Sequence, residues 1–88
     1  MAIAFQNPTR SFDPTVNCVR FSGHDSTIEV SFFVETEALQ KLCPGMGMAE
    51  GEILKAFDNK LKQIHKVATR VYGSGKKSFV HTLTSDDF

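Results

Sequence analysis

The sequence contains no tryptophan, only two cysteines and three prolines, and its ten basic and ten acidic residues cancel over 88 residues. Two cysteines are too few for a disulfide scaffold, and zero net charge argues against a tail that wraps nucleic acid or coats a membrane. No apolar run approaches the ~18 residues that a membrane span needs. Residues 1–16 lack the positive start and the apolar stretch of a signal peptide. These absences predict a single cytoplasmic domain over residues 1–88, with reduced thiols.

The spacing of possible ligands argues against a metal site. Zinc ligands normally occur in pairs about two to five residues apart. Cys18 and His24 form the closest such pair, and a predicted hairpin turn separates them further. We therefore expect no bound metal, and we expect structural or surface roles for His24, His65, His81, Cys18 and Cys43.

Catalytic motifs are absent as well. The chain has no GxSxG, HExxH, Walker loop or GxGxxG. The stretch GSGKK at residues 73–77 contains the letters of a phosphate loop, but it follows a predicted helix instead of opening one. It is therefore interpreted as a helix cap and turn, with glycine in the left-handed conformation. Nothing in the chain assembles a nucleophile, a base and an orienting group, so we expect no catalytic residues and no cofactor.

The clearest structural unit is a β-hairpin over residues 17–34. Two alternating runs flank residues 23–26, a four-residue connection of common hairpin length. This register pairs Phe21 with Ile28 and places Arg20 opposite Glu29. One face then carries the predicted core residues Val19, Phe21, Ile28, Val30, Phe32 and Val34. Phe33 is the only large apolar side chain on the other face, where we expect the N-terminal strand to cover it; a partner is the alternative.

The remaining segments complete an α+β prediction. Residues 2–6 alternate as an edge strand, and residues 7–14 are rich in turn signals. A short helix is predicted over residues 36–42 with Thr36 as its N-cap, and a long one over residues 49–72. Residues 78–84 form a last strand, followed by a loose tail over residues 85–88. The expected fold is an antiparallel sheet of three or four strands, made of a β-meander, two helices and a C-terminal strand, with the helices packed on one face.

The distribution of charge is the one unusual feature. Residues 55–77 hold seven basic side chains against a single acidic one. On one continuous helix, four of the basic residues fall within an arc of ~80° opposite the apolar stripe. Such a stripe can track a phosphate backbone or an acidic protein, or it can be the solvated back of a core helix. The residues of this candidate binding stripe are Lys55, Lys62, Lys66 and Arg70.

Three stretches carry a resemblance to a known family. NPTRSFD at residues 7–13, VRFSGHDSTIEVSFFVE at 19–35 and AFDNKLKQIHKVATRVY at 56–72 resemble short bacterial proteins grouped as domain of unknown function 1488. Other members often have an aromatic residue near positions 22 and 24, where this chain has Ser22 and His24. The resemblance implies a small α+β fold and a bacterial cytosolic setting, and it supplies no functional residues.

Three classes of function remain open from the sequence. The favoured one is a non-catalytic binding or regulatory module that acts through contacts with another protein. The alternative is weak, sequence-tolerant binding of nucleic acid through the basic stripe. An enzyme is the least favoured, and no membrane partner is expected. The sequence does not identify the partner, and it leaves the oligomeric state open.

Overall fold

A computed structural model describes residues 3–5, 9–73 and 78–88. Four strands form one sheet in the order β1-β2-β3-β4. The strands are β1 Arg10–Asp13, β2 Cys18–Asp25, β3 Ile28–Glu35 and β4 Val80–Leu83. The helices are α1 Thr36–Leu42, α2 Glu50–Asn59 and α3 Leu61–Tyr72, and a short 3₁₀ helix spans Ser85–Asp87. This architecture confirms the α+β class with a C-terminal strand.

The sheet is mixed, whereas the sequence predicted a wholly antiparallel sheet. Strands β1, β2 and β3 form an antiparallel meander, whereas β4 runs parallel to β3. The reason lies in the connection: the chain leaves the end of β3, crosses the sheet through three helices and enters β4 in the direction of β3. Parallel neighbours require a long crossover of this kind, usually helical.

The hairpin exists, but its predicted register is wrong. Asp25 pairs with Ile28, so only two residues form the connection, and Phe21 pairs with Phe32 instead of Ile28. Ser26 takes the positive φ of 57° that a two-residue hairpin turn requires at its first position. Arg20 lies opposite Phe33, and Glu29 lies opposite His24, so the predicted Arg20–Glu29 pair does not form. Because the slip is an even number of residues, both strands keep their predicted faces.

The core lies between the sheet and the three helices. Every predicted hairpin core residue is buried except Ile28, which is 46% exposed because the shorter turn leaves it at the end of the hairpin. The helices contribute Leu39 from α1, Phe57 from α2 and Ile64 from α3 to the same cluster. All three helices therefore pack on one face of the sheet, as predicted.

The predicted long helix is two helices that meet at Lys60. The backbone of Lys60 leaves helical geometry (φ −112°, ψ 19°), although its N–H still donates to the carbonyls of Ala56 and Phe57. This change of direction lets α2 contact β1 and β2 while α3 contacts β4. Helix α1 has its predicted bounds, but its N-cap is Glu35 and not Thr36, which is the first helical residue.

The N-terminal part of the chain differs from its prediction. In the described residues the expected edge strand is reduced to one bridge, in which Ala4 and His24 exchange two backbone hydrogen bonds of 2.8 Å. Strand β1 lies instead in the segment predicted to be turns. A bidentate ion pair, in which the Arg10 guanidinium donates to Asp58 at 2.8 and 2.9 Å, joins β1 to α2.

The C-terminal residues are ordered, not loose. Thr84 and Asp87 form a reciprocal capping box around the 3₁₀ helix. Lys41 on α1 donates through Nζ to the carbonyl oxygens of Ser85 and Phe88, at 2.9 and 2.6 Å. Gly73 ends α3 with φ −80°, so this glycine does not take the predicted left-handed conformation. The rest of the predicted GSGKK turn, residues 74–77, lies outside the described residues.

Candidate functional site

One face of the sheet is covered by the helices, whereas none of the helices in the described part of the chain covers the opposite face, here called the outer face. The alternation along the strands places side chains on this face in rows that cross the sheet. One row consists of Asp13, Cys18 and Glu35, which are paired neighbours on β1, β2 and β3. The next row consists of Ser11, Arg20, Phe33 and Thr82.

An apolar depression, here called the corner hollow, lies where the turn before β2 meets β3 and β4. It encloses about 300 Å³ and is lined by Val16, Cys18, Phe33, Glu35, Val80 and Thr82. Val16 and Val80 are 53% and 55% exposed, although valine is one of the residue types most often buried in proteins. The described part of the N-terminal segment packs on the helix side, where Phe5 contacts Phe21 and Phe32. The expectation that this segment covers Phe33 is therefore wrong.

The chemistry of Cys18 is that of a packed thiol. Its side chain is buried and Sγ donates to the Val16 carbonyl oxygen at 3.2 Å. Burial raises the pKa of the Cys18 thiol, and the negative charges of Glu35 and Asp13 raise it further. Because the thiolate is the reactive form, Cys18 is a poor nucleophile and serves as an apolar floor for the hollow.

Within the described ranges, no basic side chain forms an ion pair with either of the two carboxylates beside Cys18. Asp13 accepts a hydrogen bond from the Thr15 N–H at 2.9 Å. The Arg20 guanidinium donates to Ser31 Oγ at 3.3 Å, in the row beyond Phe33 and so away from the carboxylates. Among the described residues the only ion pair joins Arg10 and Asp58 on the helix side. The corner hollow therefore has an acidic border.

A larger cleft of about 650 Å³ runs along the free edge of β4, between this strand and Arg70 of α3. Several polar groups in and beside this cleft have partners within the chain. Ser78 Oγ accepts from the Val80 N–H at 3.3 Å and donates to the Val80 carbonyl at 3.0 Å. The Thr84 N–H donates to Asp87 Oδ2 at 2.8 Å, and Arg70 donates to the Asp87 backbone carbonyl. These contacts blunt the edge against an added strand.

The histidines and Cys43 occupy separate places. His65 stacks on Phe5 with ring centres 4.1 Å apart, and burial lowers the pKa of His65. His81 packs between Phe32 and Tyr72 on the helix side, and its Nε2 lies 2.9 Å from the Ser78 carbonyl oxygen. Cys43 is a free, half-buried thiol after α1. Within residues 3–5, 9–73 and 78–88, no three metal-ligating side chains come together.

The predicted basic stripe is divided by the break at Lys60. Lys62, Lys66 and Arg70 recur every four residues on the exposed side of α3, whereas Lys55 lies on α2. Arg70 is also held by the Asp87 carbonyl. The structure thus brings three of the four predicted residues onto one helix and separates the fourth.

The corner hollow was missed by sequence reasoning, although one signal pointed towards it. The pattern placed Phe33 alone on the polar face of the hairpin. Its neighbours Val16 and Val80 come from segments distant in sequence, and the parallel pairing that brings β4 beside β3 was not predicted. Phe33, as a single large apolar residue on a polar face, was thus the only local sign of the corner hollow.

Comparison with known proteins gives one match. A family model described as "Protein of unknown function (DUF1488)" matches residues 3–79, which confirms the predicted resemblance. No curated protein and no solved structure matches the chain. None of the helices in the described ranges has the length and apolar character needed to cross a membrane.

Proposed function

The chain belongs to the DUF1488 family, whose description indicates no function, and we propose from its own geometry that it is a non-catalytic module that binds another protein. The observation that carries this proposal is the corner hollow. Two exposed valines surround it, on a sheet face that no described helix covers. Clustered exposed apolar side chains with a polar border are typical of interaction sites.

The size of the hollow favours a protein partner over a small molecule. Pockets for small molecules usually enclose about 300–1,000 Å³ and bury most of the ligand. The corner hollow lies at the lower limit of that range and opens onto a sheet surface. It can accept one anchoring side chain, with the surrounding outer face contacting the rest of the partner. Affinity in protein interfaces is concentrated in such anchors.

The rigidity of the site supports the same function. Phe33 lies on β3, a central strand that pairs with β2 on one side and β4 on the other. Sites on paired strands are held more firmly than sites on loops, so less conformational entropy is lost on binding. Neither Cys18, with its raised pKa, nor another described group in the hollow supplies the nucleophile and base of an enzyme.

Affinity capture with matched variants tests this function. The baits are the wild-type chain, Val80→Lys, the control Ile28→Lys and the double variant Lys62→Gln/Lys66→Gln. Val80 and Ile28 are both exposed β-branched residues at the first position of a strand. Exchange for lysine should therefore be tolerated equally well at each position. We expect proteins from a nuclease-treated bacterial lysate that bind every bait except Val80→Lys. Equal capture by Val80→Lys contradicts the proposal.

A second candidate is binding of nucleic acid through α3. It is supported by the exposed succession of Lys62, Lys66 and Arg70, which can approach consecutive phosphates. Aromatic side chains that stack on bases are missing from this side of α3, because His65 packs on Phe5 and Tyr72 is buried. Recovery of RNA or DNA from a parallel lysate without nuclease treatment, by every bait except the Lys62→Gln/Lys66→Gln variant, would favour this candidate.

A further inference from the structure

The charges around the corner hollow define the partner more closely. We propose, on the basis of the protein-binding function above, that the hollow receives an apolar side chain flanked by lysine or arginine on a partner protein. The apolar side chain contacts Val16, Phe33 and Val80, and the basic side chain faces Asp13 and Glu35. The partner segment is therefore both apolar and cationic.

The position of the two carboxylates carries this assignment. Asp13 and Glu35 lie on either side of Cys18 in one row of the outer face, with Glu35 in the wall of the hollow. Neighbouring strands are about 4.8 Å apart, so the two residues are separated by about 10 Å. A long, flexible cationic side chain can reach either carboxylate while its apolar neighbour occupies the hollow.

The residues around the row leave this negative charge available to a partner. Among the residues that the structure describes, Arg20 is the basic residue on the outer face of the strands, and it donates to Ser31 on the side away from Asp13 and Glu35. Burial is the main cause of the raised pKa of Cys18, and the negative charges of Glu35 and Asp13 beside it raise this pKa further. An acidic partner would meet like charges here, which disfavours it by repulsion and by desolvation.

A second copy of the chain is a less suitable occupant. The basic residues of α3 belong to the helix side of the molecule, opposite the outer face. A contact between the helix side of one copy and the outer face of the next is heterologous, so it extends into open chains of molecules instead of closing into a dimer. The blunted edge of β4 also disfavours pairing of two sheets at that strand.

Three capped pentapeptides with serine at both ends test the proposed chemistry. The first has leucine between two arginines, the second has leucine between two glutamates, and the third has serine between two arginines. Binding is followed through backbone amide NMR shifts of the whole chain at low salt. We expect the first peptide to shift amides around Val16, Phe33 and Val80, and to bind at least about tenfold more tightly than the other two.

Charge-neutral variants test the role of the carboxylates. Asp13→Asn keeps a side-chain oxygen for the Thr15 N–H. Glu35→Gln removes no helix cap, because Glu35 makes no side-chain cap on α1. Both exchanges should therefore leave the fold intact. The double variant should bind the arginine–leucine peptide about two- to tenfold more weakly, the range of two exposed ion pairs. The control is Glu29→Gln, an exposed carboxylate on the same strand beyond Arg20 and Phe33, and it should bind as the wild type does.

Each result decides between the two proposals. Equal binding of the glutamate peptide, or unchanged binding by the double variant, overturns the inference about charge. Dimerisation that Val80→Lys abolishes would make a second copy the occupant and would also overturn it. In both cases the protein-binding function stands if capture depends on Val80. If capture does not depend on Val80, the proposed function itself fails, whatever the peptides do.

Discussion

At the scale of single residues, Gly23 shows how a contact with a segment distant in sequence can require a glycine. It lies within β2, where a glycine is normally unfavourable, and the sequence pattern placed it in a turn. A Cβ at this position would lie 2.8 Å from Phe5 Cε1 and 3.0 Å from Ile3 Cγ1. The missing side chain therefore lets the N-terminal segment pack over the strand.

Replacing Gly23 should destabilise the protein. Gly23→Ala should lower the free energy of unfolding by about 1–3 kcal/mol, because the extra methyl overpacks the contact with Phe5. The control is Gly51→Ala, which lies in α2 with no atom near its Cβ position. That exchange should raise stability by about 0.5–1 kcal/mol through helix propensity. Urea unfolding measures both, and equal effects of the two variants would contradict this packing.

His65 makes the stability of the fold depend on pH. Burial against Phe5 and Phe21 lowers the pKa of His65 in the folded state, whereas its ordinary value applies in the unfolded state. The unfolded chain therefore binds the proton first as the pH falls. Above about pH 6.5 the imidazole is mostly uncharged in both states, so His65 does not oppose folding there. Stability is lost as the pH falls from there through the lower folded pKa.

The comparison of His65→Gln with His24→Gln isolates this effect. We expect wild-type protein and His24→Gln to lose stability between pH 7 and pH 5, because His24 lies on the outer face away from the Phe5 ring. His65→Gln should be less stable at pH 7, because it loses the ring stack, and should show a smaller loss on acidification. Parallel pH curves from urea unfolding for all three proteins would contradict the assignment to His65.

At the scale of secondary structure, the sequence predicted the elements better than their arrangement. Alternating residues fixed the faces of β2 and β3, and the apolar positions at steps of three and four located both halves of the helical region. The observed hairpin register places Gly23 within β2 and next to Phe5, a contact that local patterns do not contain. The break at Lys60 has no proline or glycine to mark it and follows from packing against the sheet. Strand β1 was hidden among turn residues because only Arg10 and Phe12 face the helices.

Because three of the four basic residues of the stripe lie on α3, the nucleic-acid alternative predicts a definite salt dependence of binding. If α3 binds duplex DNA, three phosphate contacts by Lys62, Lys66 and Arg70 give a log–log salt slope of about −2.7. Lys62→Gln/Lys66→Gln should reduce its magnitude by about 1.8, while Lys55→Gln on α2 should leave it unchanged. Both sets of residues are exposed, so stability should change by less than about 0.5 kcal/mol.

The same titrations show when this alternative fails. Salt-titrated binding of a fluorescent duplex gives the slopes, and Arg20→Gln on the outer face serves as a second control. No binding of duplex DNA or single-stranded RNA at about 20–50 mM salt, where charges are least screened, would eliminate the alternative. A slope that falls equally for Lys55→Gln and for Lys62→Gln would instead mean that both helices contact the phosphates.

At the scale of the whole molecule, the helices and the sheet divide the surface into two sides of different character. The helix side carries the basic residues of α3, and the outer face carries the corner hollow with Asp13 and Glu35. The family match spans both sides and assigns a function to neither. The account therefore depends on which side another macromolecule contacts.

Mapping the contact surface of a captured partner tests this claim most directly. Isotope-labelled wild-type protein is titrated with the purified partner, and the backbone amide shifts are followed by NMR. We predict that the largest shifts cluster around Val16, Cys18, Phe33 and Val80. Shifts that cluster along Lys62, Lys66 and Arg70, with the corner hollow unchanged, would contradict the account.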